Sequence, residues 1–257
     1  MRPEQLADFR VPSDAHMHPD GGRAVFKVVH MDLDDDAYVS RVWLWWSGGK
    51  DSAWAHAVLS AQPDARVAGL VTTIGEDGRV AAHGVPRALI DAQARSLGLP
   101  VRHVPLPQPC PNADYEAAFA EVVRDARKAS IDAMAFGDLF LEDVRDYRAG
   151  LLDGTEIAPW FPLWGISTAE LARTMIDGGL QANVVSLDPK RVDPRLLGRS
   201  YDRALLHDLP PSVDPCGERG EFHTFVGSAP GFAAPVSFRV GETRAHEDGT
   251  VRVEIGP

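Results

Sequence analysis

Cysteine is scarce in this chain of 257 residues: there are two, Cys110 and Cys216. So few, so far apart, exclude a secreted disulfide scaffold and a close-spaced zinc knuckle, and they point to a reducing compartment. A basic surplus is also missing. Lys and Arg number 26 against 37 Asp and Glu, a formal net charge of -11. That balance repels a nucleic-acid backbone, so a general RNA or DNA binder is not expected. No stretch reaches the roughly 18 consecutive apolar residues of a membrane span, and the opening MRPEQLADFR has no apolar run of the signal-peptide kind. We therefore expect a soluble, cytoplasmic protein with no membrane partner. Internal repeats and low-complexity tracts are absent as well. What is present is 44% hydrophobic residues. A chain of this length and composition can bury a large core, as one big domain or a main domain with an annex.

Residues 1–40 are polar and turn-rich, with His16, His18 and His30 among acidic residues. Asp14-x-His16-x-His18 is reminiscent of a metal pair, but the segment reads more simply as a poorly ordered extension. From Arg41 the pattern changes. Continuous apolar character predicts a buried strand over Val42–Trp46 and a helix over Ala53–Ala61. The rhythm repeats: strand Ala65–Thr73, helix Pro86–Leu97, strand Val101–Pro105, helix Tyr115–Lys128, strand Ala133–Phe136 and a helix after Leu139. Such alternation predicts an α/β fold, a doubly wound parallel sheet with ligands beyond the strand C-termini. After Pro159 the pattern loosens. A helix over Thr168–Asp177, a strand near Asn183–Leu187, a helix around Ser200–Asp208 and a terminal hairpin turning at Glu247–Thr250 predict a smaller α+β part. The expected division is 1–40, 41–155 and 156–257.

Between the first strand and helix stands Ser47-Gly48-Gly49-Lys50-Asp51-Ser52. A loop in that position presents backbone N–H groups, and the helix N-terminus adds a field that favours an anion. Gly48 and Gly49 let the backbone approach phosphate oxygens without a Cβ in the way. Ser47 and Ser52 offer hydroxyl donors, and Lys50 can neutralise phosphate charge. Asp51 opposes a bare phosphate, so its carboxylate makes more sense holding magnesium or orienting a neighbour. The spacing is not that of the loop in nucleoside triphosphatases that release the terminal phosphate.

Four later stretches add polar groups. Thr72 and Thr73 end the second strand ahead of His83 and Gly84. The threonines can face a nucleotide, while His83 either joins them or packs beneath the next helix. In AFGDLFLEDVR, Gly137 lets Asp138 sit at a strand end, and Glu142 and Arg145 fall on one helical face. The aromatics of Phe161-Pro162-Leu163-Trp164-Gly165 suit packing better than adenine stacking. Last, DPCGERGEFHTF gathers Cys216, Glu218, Glu221 and His223 in one predicted loop. Cys216 is a nucleophile or a buried structural thiol. Glu218, Glu221 and His223 can bind a cation or an amine.

Ser47–Ser52 resembles the pyrophosphate loop of the N-type ATP pyrophosphatases, which cleave ATP between the α and β phosphates. With TT…HGV, FGDLFLEDVR, FPLWG and DPCGERGEFHTF in order, residues 42–240 closely resemble the diphthine–ammonia ligase-like ATP-binding family, in the manner of its bacterial members. Arg219 stands where the family commonly carries asparagine. The resemblance implies a sheet of the adenine nucleotide alpha hydrolase-like (HUP) type, ATP and Mg2+ as cofactors, and an adenylated carboxylate attacked by ammonia or a small amine. It implies nucleotide binding by Ser47 to Ser52, Thr72, Thr73, His83, Gly84 and Gly137. Magnesium falls to Asp51 and Asp138, and catalysis to Lys50, Asp51, Asp138, Glu218, Glu221 and His223. The acceptor, a small molecule or a protein, stays open, and a homodimer is allowed. Two other readings fit the loop: sulfur transfer to transfer RNA, which calls for paired cysteines, and a non-catalytic adenine-nucleotide sensor.

Overall fold

The computed structural model describes residues 39–80 and 83–257, so His16, His18 and His30 of the predicted extension lie outside the described residues. Strand β1 (Ser40–Trp45) alternates in the way a central strand must. Val42 and Leu44, with Trp46 just beyond, point to one hydrophobic cluster, whereas Trp43 and Trp45 pack against a second. The two clusters are the two faces of one sheet.

That sheet is wholly parallel, with order β5-β2-β1-β6-β7, built from β1, β2 (Ala65–Ile74), β5 (Val101–Pro105), β6 (Ala133–Ala135) and β7 (Ala158–Trp160). Helices α1 (Lys50–Ser60) and α2 (Arg87–Leu97) cover one face, and α3 (Asn112–Lys128) supplies Phe119, Val122, Val123 and Ala126 to the other. The chain moves outward from β1 through β2 to β5, then crosses to β6 on the opposite side of β1. The strand order thus reverses beside β1, which opens the crevice where doubly wound sheets bind ligands. A two-strand hairpin, β3 (Arg79–Val80) with β4 (Val85–Pro86), sits between β2 and α2.

After α4 (Glu142–Gly150), β7 and α5 (Thr168–Asp177) comes an antiparallel sheet. Its strands are β8 (Gln181–Leu187), β9 (Phe222–Ser228), β10 (Arg239–Ala245) and β11 (Val251–Gly256), ordered β10-β11-β8-β9, with α6 (Arg203–Asp208) between β8 and β9. Buried residues of this smaller α+β part, among them Val184, Phe225 and Ile255, join the same cluster as Val42 and Leu44. No helix among the described residues is long and apolar enough to cross a membrane.

The predicted doubly wound parallel sheet and smaller α+β part are both present. Some features differ from the predicted elements, the β3–β4 hairpin ahead of α2 and the start of α3 at Asn112 among them. Helix α1 begins at Lys50, so three polar residues of the loop form its first turn. Strand β7 carries Pro159, which reads against a strand in sequence but is tolerated at a sheet edge. Strand β9 occupies the end of the predicted loop, because Thr224, Phe225 and Val226 are all buried and alternation is lost.

Candidate active site

The loop after β1 depends on its glycines. Gly48 has φ +80, and a Cβ there would stand 2.8 Å from Ile90 Cδ1. At Gly49 a Cβ would stand 2.8 Å from His83 Cε1 and 3.1 Å from the Thr224 carbonyl, so any side chain would fill the cradle. Ser52 Oγ donates to the Gly49 carbonyl at 3.0 Å, and Ser47 Oγ accepts from Gly49 N–H at 3.3 Å. No side chain caps Gly49. The first-turn N–H groups of α1 have no intrahelical acceptors and carry the positive end of the helix field.

The free edge of β9 holds this loop. Val226 N–H donates to the Gly48 carbonyl at 3.0 Å, and Thr224 Oγ1 accepts from Lys50 N–H at 3.1 Å. Gln93, wholly buried on α2, ties the pieces together. Its Nε2 donates to the Gly48 and Val226 carbonyls at 3.1 and 2.7 Å, while its Oε1 accepts from Trp46 Nε1 at 2.8 Å. Sequence reasoning passed over Gln93 and Thr224. For Gln93 there was a signal: it is the one polar residue among Leu89, Ile90 and Ala94 on the buried face of an amphipathic helix.

Lys50 is 2% exposed, its ammonium 2.8 Å from Asp51 Oδ2 and 5.5 and 5.8 Å from the ring centres of Phe222 and Tyr201. Burial works against its charge, but Asp51, Cys216 and Glu218 outweigh burial and raise its pKa. Asp51 Oδ1 is buried with no hydrogen-bond partner. Burial also raises the Asp51 carboxyl against the pull of Lys50. A buried carboxylate oxygen without a donor is suited to a cation.

Gly137 backs onto this turn, where a Cβ would meet Asp51 C at 3.1 Å and Ser52 N at 3.2 Å. Asp138 follows, paired with Arg148 at 2.5 Å, its carboxyl raised by burial against that guanidinium. Glu218 Oε1 accepts from Leu139 N–H at 2.9 Å. Burial, with Asp51 and Asp138 adding, pushes Glu218 up to about 7 against the opposing Leu139 N–H and Lys50. Asp51, Asp138 and Glu218 therefore make an acidic flank to the loop. Among the described residues no three His, Cys, Asp or Glu could hold a metal unaided. A magnesium ion at Asp51 and Asp138 would need phosphate oxygens to complete its shell.

The opposite flank is different in kind. His83 and His223 pack with ring centres 4.5 Å apart and planes tilted by 38°, and His83 Nδ1 lies 3.3 Å from the Thr224 carbonyl. Burial lowers His83 to about 4 and His223 well below its ordinary value, and Lys50 and Arg252 push both further down. Gly84, at φ +64, lies under Arg252. Beyond, Thr72 Oγ1 is buried without a partner, and Thr73 lines a largely apolar cavity of about 220 Å³ with Ile74, Gly75, Leu106 and Gln108.

Several residues face elsewhere. Glu221, wholly buried, is saturated by Arg191 Nη2 at 2.7 Å, Arg219 N–H at 2.8 Å and Asp214 N–H at 3.2 Å. It folds its own loop. Cys216 is buried, its thiol pushed up to about 12 by burial, with Asp51 and Asp214 adding and Lys50 and Tyr201 opposing. Such a thiol is structural at neutral pH. Cys110 is exposed and Cys216 buried, and the two are not bonded to each other. Phe161 packs on Phe136 with ring centres 5.4 Å apart. Arg145 pairs with Asp146 and lies over Trp164, 4.4 Å from the ring centre, rather than meeting Glu142.

Residues 40–148 match the family model described as the diphthamide synthase N-terminal domain, and residues 167–255 match that of the diphthamide synthase C-terminal domain. No curated protein matches the chain.

Proposed function

The chain belongs to the diphthine–ammonia ligase (diphthamide synthase) family, whose members are ATP- and magnesium-dependent ligases that form an amide, and from that premise we propose how its residues divide the work. Residues 41–155 bind ATP, and residues 156–257 bind the acceptor carboxylate. The observation that supports this most is the loop itself: two glycines at a helix N-terminus that has no cap from its own loop, flanked by Asp51, Asp138 and Glu218.

The ATP phosphates lie over Ser47 to Ser52, held by first-turn N–H groups and the two serine hydroxyls. The base lies towards Thr72, Thr73 and the adjoining apolar cavity. An oxygen of the acceptor carboxylate attacks the α-phosphorus, the bond to the β-phosphate breaks, and pyrophosphate leaves with the electron pair. Lys50 stabilises charge that develops there. Magnesium, held by Asp51 and Asp138 when bound, offsets phosphate charge. Ammonia then attacks the acyl carbonyl and AMP departs. Glu218, with a pKa of about 7, takes the proton that the nitrogen sheds. Gly84 and Gly137 give close approach, and Glu221 keeps the acceptor loop folded. The reading places the protein in the cytoplasm, as a monomer or a homodimer, with a small molecule or a protein as acceptor.

Incubation with α-labelled ATP, magnesium, ammonium and cell extract tests this reading. AMP and pyrophosphate should form only with extract and should vanish in Lys50→Ala. Tight binding of ATP that stays intact under every condition would favour the nucleotide sensor instead.

A further inference from the structure

The two flanks of the loop are opposite in charge character. Asp51, Asp138 and Glu218 stand on one side; on the other the imidazole pair lies beside Lys50 and Arg252, the latter held by Asp248. Strand register extends that second flank. On β8, Ser186 is directly opposite His223 of β9 and directly opposite Arg252 of β11. Residues paired across an antiparallel sheet share a face, so Arg252, Ser186 and His223 form one row. His83 leans on its end, against Gly49 of the phosphate loop.

Ser186 is wholly buried, and its hydroxyl has no hydrogen-bond partner. A buried hydroxyl left unpaired is costly and calls for a partner. Arg252 uses Nε for Thr250 Oγ1 at 3.1 Å and Nη2 for Asp248, while Nη1 lies 3.9 Å from where a Gly84 Cβ would stand. The groups that face His223 are thus His83, Lys50 and Arg252, and both cations disfavour a further positive charge. Lys50 and Arg252 each already hold a carboxylate, Asp51 and Asp248, so what the row offers an anion is donors: the unpartnered Ser186 hydroxyl and the Arg252 Nη1 that neither of its contacts uses.

We infer that Arg252, Ser186 and His223, backed by His83, form an anion subsite continuous with the phosphate loop, which takes the terminal phosphates of the nucleotide and holds them as pyrophosphate. This rests on the ATP-cleaving reading above and adds an orientation to it. The pyrophosphate end faces the cationic flank, so the α-phosphorus and the incoming nitrogen meet on the side of Asp51 and Glu218. His223 contributes a neutral N–H donor, Ser186 a hydroxyl and Arg252 a charge-assisted bond, while His83, whose Nδ1–H is spent on the Thr224 carbonyl, backs the His223 ring. A carboxylate of the acceptor shares the oxyanion chemistry and is the rival occupant.

The test is calorimetric titration of the full chain with inorganic pyrophosphate, without divalent metal, alongside AMP and acetate. Arg252→Gln should weaken pyrophosphate binding roughly tenfold, and Ser186→Ala about threefold to tenfold, since one charge-assisted or neutral hydrogen bond is lost. AMP affinity should stay within about twofold in both, which also shows that each variant is folded. Pyrophosphate binding unchanged in both variants, with ATP still bound by the parent chain, overturns the subsite alone. Acetate binding that is lost in Arg252→Gln while pyrophosphate binding is kept assigns the row to the acceptor and overturns it too. A parent chain that binds neither ATP nor pyrophosphate overturns the nucleotide reading beneath it.

Discussion

Replacing Gln93 by leucine removes a side chain that joins the end of β1, α2 and β9 beneath the phosphate loop. The substitution is close in size, so the core stays filled and the loss is mainly polar. Trp46 Nε1 loses its acceptor, and the Val226 carbonyl, on the free edge of β9, loses its donor. The Gly48 carbonyl keeps Val226 N–H at 3.0 Å. Two buried groups left unpaired cost roughly 1–3 kcal/mol each, and leucine regains about 1–2 kcal/mol of apolar burial, so a net loss of about 2–3 kcal/mol is expected. For a chain of this length that corresponds to a melting temperature lower by about 5–10 °C. Gln93→Glu should cost more, because a carboxylate would face two carbonyl oxygens now 2.7 and 3.1 Å from Nε2. Urea unfolding followed by tryptophan fluorescence gives the stability, and titration with ATP should show affinity lower by about tenfold, since Gly48 loses an anchor. A leucine variant within about 0.5 kcal/mol of the parent, with unchanged ATP affinity, would refute the clamp.

Two further outcomes follow from groups whose protonation the fold has moved. A Glu218 carboxyl raised from 4.5 to about 7 favours the folded state fully below the ordinary carboxyl range, and that contribution is lost as pH rises through about 7. Glu218→Gln should therefore gain stability relative to the parent between pH 5 and 8, by on the order of 1–3 kcal/mol, while the parent's advantage in ammonia-dependent rate grows over the same interval. Equal pH dependence in parent and variant would remove Glu218 as the proton acceptor. At pH 8, iodoacetamide should add one equivalent to the native chain, at exposed Cys110, and a second only after denaturation, because Cys216 is buried with its thiol at about 12. Two equivalents on the native chain, counted by mass spectrometry, would contradict a structural Cys216.

Much of this molecule was readable without coordinates, for a local reason. Strand and helix periodicity is written in consecutive residues, and it located β1, β2, β5, the helices and the terminal hairpin. Ser47 to Ser52 declared an anion cradle because glycine, helix start and hydroxyls all act within one turn. What sequence could not decide was partnership over distance. Glu218 and Glu221 are three positions apart and look alike, yet one faces the acidic flank near neutrality and the other is saturated by three donors. Gln93 lies 45 residues from Gly48 and 133 from Val226, so only folding makes it a clamp. His83 meets His223, and Ser186 stands between Arg252 and His223, through strand register alone. Local chemistry named the phosphate loop; the antiparallel sheet, by lending it the free edge of β9, decided which side chains stand on either side.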